Sequence, residues 1–404
     1  MKAYHIALLG AAIAVPGTAL AQQEEISRQR TDNEKSLVEE IFKIEKKTDK
    51  FNLFLDMHAD FDAGWTGSHF DEGKFRFQQI RVEAKGNIND WLSYRYRQRL
   101  NKGDNPNGYR DNILNSIDIA GIGVKFNKWQ LFLGRQCAAY GGIEFDLNPI
   151  EIYQYSDMVD YMSNFMTGVN VAYNATPDQQ FQFQILNSNN YSSEEMYGDY
   201  EKSKLPLVYT LNWNGNFNNV YKTRWSASFM EETKGKHMWY FALGNDFNIS
   251  EKVQMYFDWM YSLEGVDRKG IITDIVAPHG WTKKAAKTDI MSFVLHANYR
   301  FHPAWNIFGK VMYENEGVYK TNSMDVLDAE GGQVPVELRK GKYRTALGYI
   351  GGIEYYPLKD RNLHFFVTYV GRNYKYTAKA KAFGAEDYNT NGIQVGFIWH
   401  MPVF

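Results

Sequence analysis

The 404-residue sequence predicts an all-β protein, a 16-stranded antiparallel transmembrane β-barrel preceded by a short N-terminal periplasmic helix or coiled coil. Three observations predict it. Apolar and polar residues alternate with period two in segment after segment, the connections alternate between tight and long, and the last strand ends in an aromatic residue. The clearest alternation lies in 75–100, FRFQQIRVEAKGNINDWLSYRYRQRL. Leu92, Tyr94, Tyr96 and Leu100 fall on one face of an extended strand, with Ser93, Arg95, Arg97 and Arg99 on the other. In the strand before it, Ile80, Val82 and Ala84 oppose Gln79, Arg81, Glu83 and Lys85, and Asn87-Ile88-Asn89-Asp90 supplies the turn. Taken alone, this hairpin would serve a soluble β-sandwich equally well, with its apolar face as core.

Composition and the N-terminus favour the membrane. Aromatic residues make up 16% of the chain, yet its mean hydropathy is −0.49. Strands that alternate between lipid and water, girdled by aromatics at both interfaces, require that combination. The single cysteine, Cys137, excludes an internal disulfide, and a net charge of −2 argues against a nucleic-acid partner. Lys2, the apolar run Ile6 to Leu20 and the small-residue box Ala19-Leu20-Ala21 predict a signal peptide over 1–21, cleaved after Ala21. The run is shorter than the roughly 18 residues of a spanning helix.

Residues 22–50 form the expected periplasmic segment. Leu37, Ile41, Ile44, Thr48 and Phe51 step by four, three, four and three, which fits a two-heptad coiled-coil seam or one amphipathic helix lying on the rest of the protein. From 51 to 404 no Pro/Ser-rich linker interrupts the chain, so one barrel domain is expected. Leu53, Leu55, Met57, Ala59 and Phe61 oppose Phe54, Asp56, His58, Asp60 and Asp62, and later strands repeat the division, as in Tyr221, Thr223, Trp225, Ala227 and Phe229. Tight connections are expected at 87–90, 127–128, 174–178, 215–219, 249–251, 302–303 and 358–362. Longer polar ones are expected at 64–74, 101–113, 138–164, 187–204, 264–288, 317–342 and 375–390, with a shorter one near 232–235. This pattern makes an even-stranded meander with both ends in the periplasm. The closing segment, Gln394 to Met401 followed by Pro402-Val403-Phe404, has the spacing of a C-terminal barrel-assembly signal.

Strand parity assigns the lumen. Charges avoid the lipid face, so Arg81, Lys85, Arg95, Arg97, Arg99, Arg224, Arg300, Arg344 and Arg372 are expected to line the pore. Acids share that lining, and pairs such as Arg81 with Glu83 would solvate any water-filled barrel. Three arginines on successive inward positions of one strand, with no acid between them, point to a functional cluster. The long connection 138–164 carries Glu144, Asp146, Glu151 and Asp157. It is expected to fold inward as a constriction loop facing Arg95, Arg97 and Arg99, the alternative being an ordinary extracellular acidic loop.

The segments FRFQQIRVEAKGNINDWLSYRYRQRLN and GRQCAAYGGIEFDLNPIEIY, with the terminal strand, resemble a Bacteroidetes-type phosphate-selective porin family. The resemblance covers the chain after Phe51 and implies a trimeric outer-membrane porin whose arginines line the permeation path, a role it carries to Arg81, Arg95, Arg97, Arg99 and Arg135. The expected function is passive diffusion of small hydrophilic solutes with a preference for anions, phosphate or carboxylates. The acidic loop works against strict phosphate selectivity, and the heptad helix looks more like that of coiled-coil-tethered dicarboxylate porins. A structural or adhesion barrel using 264–288 and 317–342 is the other alternative. No enzyme is expected: G-x-S-x-G and H-E-x-x-H are absent, and His58, His237, His296 and His400 lack ligand spacing. No catalytic residue, metal or cofactor is therefore assigned. The expected partners are outer-membrane lipid and lipopolysaccharide, small anionic or neutral solutes, two further copies in a homotrimer and, during biogenesis, the barrel-assembly machinery.

Overall fold

The computed structural model describes residues 36–43, 49–103, 111–189, 191, 193–358 and 362–404. The expected signal peptide, and Ile44 and Thr48 of the heptad seam, lie outside them. Eighteen strands follow in order among the described residues. They are β1 (Asn52–Thr66), β2 (His69–Asn87), β3 (Leu92–Arg99), β4 (Ile117–Phe126), β5 (Trp129–Cys137) and β6 (Phe165–Thr176). Next come β7 (Gln179–Asn187), β8 (Leu207–Phe217), β9 (Tyr221–Thr233), β10 (Lys236–Ser250), β11 (Val253–Val266) and β12 (Ala286–His302). The last six are β13 (Trp305–Val318), β14 (Asn322–Leu327), β15 (Gln333–Leu338), β16 (Gly341–Tyr355), β17 (Leu363–Tyr376) and β18 (Tyr388–Pro402). Sixteen of them close a barrel, because β13 pairs directly with β16 and leaves β14–β15 as a separate two-stranded sheet. The seam closes between β1 and β18, from Phe54 opposite Pro402 to Thr66 opposite Thr390.

The tight connections lie at one end of the barrel. Asn127, Asn218 and Asn219 occupy the left-handed region there, with φ of 54°, 55° and 57°, a conformation asparagine tolerates better than most residues. At the other end the expected long connection at 64–74 does not exist. β1 and β2 run on as a paired ribbon to a reversal at Gly67-Ser68, φ 60° at the glycine. Its polar residues alternate with Phe70, Phe75 and Phe77, which lie exposed on the ribbon.

Among the β-bulges, two bear on the parity of the charged wall. On β2, His58 pairs with Gln79 and Ala59 with Phe77, so Gln78 is the extra residue and Phe75 and Phe77 share a face with Ile80 and Val82. On β4, Arg97 pairs with Ile119 and Gln98 with Ile117, which makes Asp118 the extra residue.

The helices are short. α1 (Leu37–Phe42) starts with a capping box, in which Ser36 Oγ accepts the Glu39 N–H at 3.2 Å and Glu39 Oε2 accepts the Ser36 N–H at 2.9 Å. Its Val38 N–H donates to the Val403 carbonyl at 3.1 Å, which ties it to the end of β18, while Ile41 and Phe42 remain exposed. α2 (Asp157–Asp160), α3 (Ser193–Tyr197), α4 (Ile271–Val276) and α5 (Ala378–Lys381) lie in connections. No described helix is long and apolar enough to cross a membrane. The outward residues of the barrel strands, Leu211, Leu243, Leu295 and Val367 among them, form the exposed apolar band of a transmembrane barrel.

The barrel interior is divided. Inward positions of β8–β13 mix charge, as in Arg224, Asp258, Lys310 and Glu314, with Met230, Tyr240, Ala242, Met260, Ile290, Val294 and Met312, which are buried in one apolar cluster with residues of 138–164 and α4. Inward positions of β1–β3 carry charge: Asp56, Asp60, Arg81, Glu83, Arg95 and Arg97.

Candidate functional site: the lumen and loop three

Loop three (138–164) leaves β5 and turns into the lumen. Gly141, at φ 70°, begins the turn, and a Cβ there would meet Ser226 Oγ at 2.6 Å. The Gly142 N–H donates to the Arg224 carbonyl at 3.1 Å, and the Asp258 carboxylate accepts the N–H groups of Ile143 and Glu144 at 2.7 and 2.8 Å. The loop then crosses to the opposite wall. Gln79 Nε2 donates to the Pro149 carbonyl at 2.9 Å, the Tyr153 hydroxyl to Glu354 at 2.9 Å, and the Met158 N–H to Glu314 at 3.2 Å. Its apolar side chains Ile143, Phe145, Met158 and Val159 lie in the cluster against β8–β13, which α4 joins with Ile271, Ile272, Ile275 and Val276. Burial of that many apolar side chains fixes the loop as a packed wall element.

The loop's carboxylates face other cations than expected. Asp146 pairs with Arg224 of β9 at 3.0 Å, and Glu144 pairs with Lys310 of β13 and accepts from Ser156 Oγ at 2.5 Å. Asp157 pairs with Arg344 of β16 and with Arg372 Nη1 of β17 at 2.8 Å. Arg344 also holds Glu316 at 2.9 Å, and Arg372 holds Glu314 at 2.5 Å. Glu151 ends a 3-10 turn on the underside of the loop. The loop folds inward, and Glu144, Asp146 and Asp157 take their close pairs on the β9–β17 side, while Asp146 also lies near enough to Arg95 to feel its charge.

On β2 and β3 the arginines have carboxylates of their own. Arg95 Nε lies 2.9 Å from Glu83, and Arg81 Nε and Arg97 Nε lie 3.0 and 3.4 Å from Asp118. Lys85 approaches the same Glu83 at 3.7 Å, and Arg97 stacks over the Phe165 ring at 5.2 Å. Glu83 and Asp118 are thus shared among three buried guanidinium groups, with Asp56 near enough to attract Arg81 and Arg97, and Arg81 Nη1, Arg95 Nη1 and Arg97 Nη2 have no hydrogen-bond acceptor among the described residues. Asp118 escaped sequence reasoning because strict alternation carried back from Val124, Ile122 and Ala120 places it on the lipid face. The bulge turns it inward, and its only signal is a lone acid in an apolar run.

The remaining expected residues scatter. Arg99 ends β3 half-exposed, donating to the Gln78 carbonyl at 2.8 Å, so it does not join Arg95 and Arg97. Arg135 is buried, 3.2 Å from Asp111 and bonded to Asn115. Arg300 sits beside a tight turn, bonded to the Pro303 carbonyl and 4.0 Å from the centre of the Tyr356 ring. Arg224, Arg344 and Arg372 line the lumen as the anchors of loop three. No group of three or more metal-ligating side chains occurs among the described residues.

A family model described as phosphate-selective porin O and P matches residues 51–400. No curated protein sequence matches the chain. Among solved structures, the outer membrane channel DcaP of Acinetobacter baumannii superposes with a TM-score of 0.55 at 12% identity, covering 88% of this chain and 99% of that one. An anion-selective porin from Comamonas acidovorans gives 0.52 at 9% identity, covering 87% and 99%. The trimer form of OmpT, an outer membrane protein of Vibrio cholerae, gives 0.52 at 11% identity, covering 87% and 100%. At these identities the likeness is one of fold.

Proposed function

Because the chain belongs to the phosphate-selective porin family and folds as a sixteen-stranded barrel, we propose that it passes small hydrophilic solutes across the outer membrane, with anions favoured by Arg81, Arg95 and Arg97. The observation that carries this reading is the set of buried guanidinium nitrogens on β2 and β3 without an acceptor among the described residues. A guanidinium stays charged at physiological pH, and its planar fork suits the oxygens of phosphate and carboxylate. Pairing of Glu144, Asp146 and Asp157 with Lys310, Arg224, Arg344 and Arg372 removes the acid field that would otherwise oppose anion entry. Loop three is then the constriction element, and residues 22–50 a periplasmic helix or coiled coil behind a cleaved signal peptide. Association as a homotrimer is supported by the family resemblance and by Ile122, Trp129 and Leu133, exposed on the outer face of the short strands β4 and β5.

The test is the reversal potential across a planar bilayer under a potassium chloride gradient, for the wild type and for Arg81→Gln/Arg95→Gln/Arg97→Gln. Loss of anion preference in the triple variant, with barrel folding intact, is the expected result. High salt should blunt the wild-type preference, since the screening length falls to roughly 3 Å at 1 M. An unmoved reversal potential would assign selectivity elsewhere.

A further inference from the structure

Asp118 reaches the lumen through an irregularity of β4. The extra residue opposite Arg97 and Gln98 turns it inward, away from the lipid face that alternation assigns it. A bulge re-aims one side chain, and the one re-aimed here is a carboxylate, 5% exposed, set between arginines of two strands. Arg81 of β2 brings Nε to 3.0 Å from its Oδ2, and Arg97 of β3 brings Nε to 3.4 Å from the same oxygen.

The three carboxylates around the guanidinium groups are not held alike. Glu83 accepts a directed hydrogen bond from Arg95 Nε at 2.9 Å, with Lys85 beside it at 3.7 Å. Asp56 is bonded to His400 Nδ1 and acts on Arg81 and Arg97 by charge. Asp118 Oδ2 takes neither arginine in an aligned hydrogen bond, since it, Arg81 Nε and Arg97 Nε have no hydrogen-bond partner among the described residues. Its hold on both is Coulombic. A contact of that kind yields to another anion more readily than a directed, charge-assisted bond does.

We infer that Asp118 is a tethered competitor for the permeating anion: it occupies Arg81 and Arg97 between passages, gives way to an incoming oxyanion, and by its fixed negative charge speeds that anion's departure. The inference rests on the reading of Arg81, Arg95 and Arg97 as the groups that favour anions. A selective channel must bind its ion well enough to admit it and weakly enough to release it. Three buried guanidinium groups meet the first demand, and a carboxylate that cannot diffuse away meets the second. Asp118 is thus a positioning residue, acting on the solute through the arginines.

The experiment titrates inorganic phosphate against the chloride current of the purified protein in planar bilayers, for the wild type, Asp118→Asn and Asp118→Glu. A unit charge a few ångströms away is worth well over a factor of ten at an effective dielectric of about 20, and salt trims it. Asp118→Asn should therefore lower the half-blocking phosphate concentration about tenfold and lengthen each block, while Asp118→Glu, which keeps the charge, stays within about twofold of the wild type. A brace that only holds the arginines in place predicts the reverse, because its loss disorders the site and weakens binding. A half-blocking concentration that Asp118→Asn leaves unchanged, or raises, overturns the inference. If Asp118→Asn does not fold, Asp118→Ser, which also removes the charge, takes its place. Failure of both to give a heat-modifiable barrel makes Asp118 a structural brace and overturns the inference as well. An anion-selective wild type with Asp118→Asn unmoved fails the inference alone. A wild type without anion preference, whose phosphate block is still tightened by Asp118→Asn, fails the transport reading alone.

Discussion

Asp157→Asn should release the latch of loop three without weakening the barrel. Asp157 bridges two arginines on neighbouring strands, and its side chain is 6% exposed against 8% for Arg344 and 4% for Arg372. Breaking a fully buried pair costs about 3–5 kcal/mol, and breaking an exposed one about 0–1 kcal/mol. Here each arginine keeps a second carboxylate, Glu316 for Arg344 and Glu314 for Arg372, so the expected cost lies between, at about 2 kcal/mol. That raises the population with the latch open about 30-fold. The cost falls on the loop because the ring of sixteen paired strands does not run through residue 157. Amide exchange at Val159, Asp160 and Tyr161, whose N–H groups bond within the turn around α2, should accelerate by a similar factor, while exchange in β16 and β17 stays put. Open-channel current noise in single-channel recordings should rise with it. If exchange and noise both match the wild type, Asp157 is not a latch and the apolar cluster with the loop's other pairs holds it in place.

Gly396 lies at the closing seam, where a Cβ would be driven into the Ala59 carbonyl and would lie 2.7 Å from the Asp60 Cα. Gly396→Val should therefore leave the chain synthesised but poorly closed, seen as loss of heat-modifiable migration of the outer-membrane fraction on gels; normal migration would show that the seam has slack. Native mass spectrometry of the purified wild type should give a mature chain beginning at Gln22 in a homotrimer. An uncleaved or purely monomeric species would remove both expectations.

Where the chain repeats with period two, the sequence is a sufficient guide. Inward Asp56, His58 and Asp60 and outward Leu53, Leu55 and Met57 follow from alternation alone, because one face meets lipid and the other does not. The tight turns are legible for a similar reason, their asparagines and glycines having few other conformational uses. Alternation fails wherever a residue is added to one strand. The bulge at Gln78 moves Phe75 and Phe77 onto the face of Ile80, and the one at Asp118 puts a carboxylate between Arg81 and Arg97 that no reading of β3 by itself could supply. Pairing across distance was equally hidden. Loop three could be seen to be acidic, but the choice of Lys310, Arg224, Arg344 and Arg372 over Arg95 and Arg97 depends on a path through space that spacing does not encode. The polar run at 64–74 looked like an outer loop because its charges and glycines break the apolar rhythm, and it is instead the ribbon of a hairpin that projects past its neighbours.

The apolar cluster inside the barrel changes what trimming this protein would do. In a channel whose constriction loop hangs in water, removing the loop widens the hole. Here loop three and α4 cover Met230, Tyr240, Met260, Val294 and Met312 much as a helix covers a sheet in a soluble domain. A chain lacking 141–160 would expose a greasy wall to water. Detergent, lipid tails or a second chain would then compete to cover that wall. Evolutionary or engineered enlargement of the pore would have to begin by replacing these apolar residues with polar ones before the loop could be shortened. Solute range in this barrel is therefore tied to the composition of its wall as firmly as to the length of its loop.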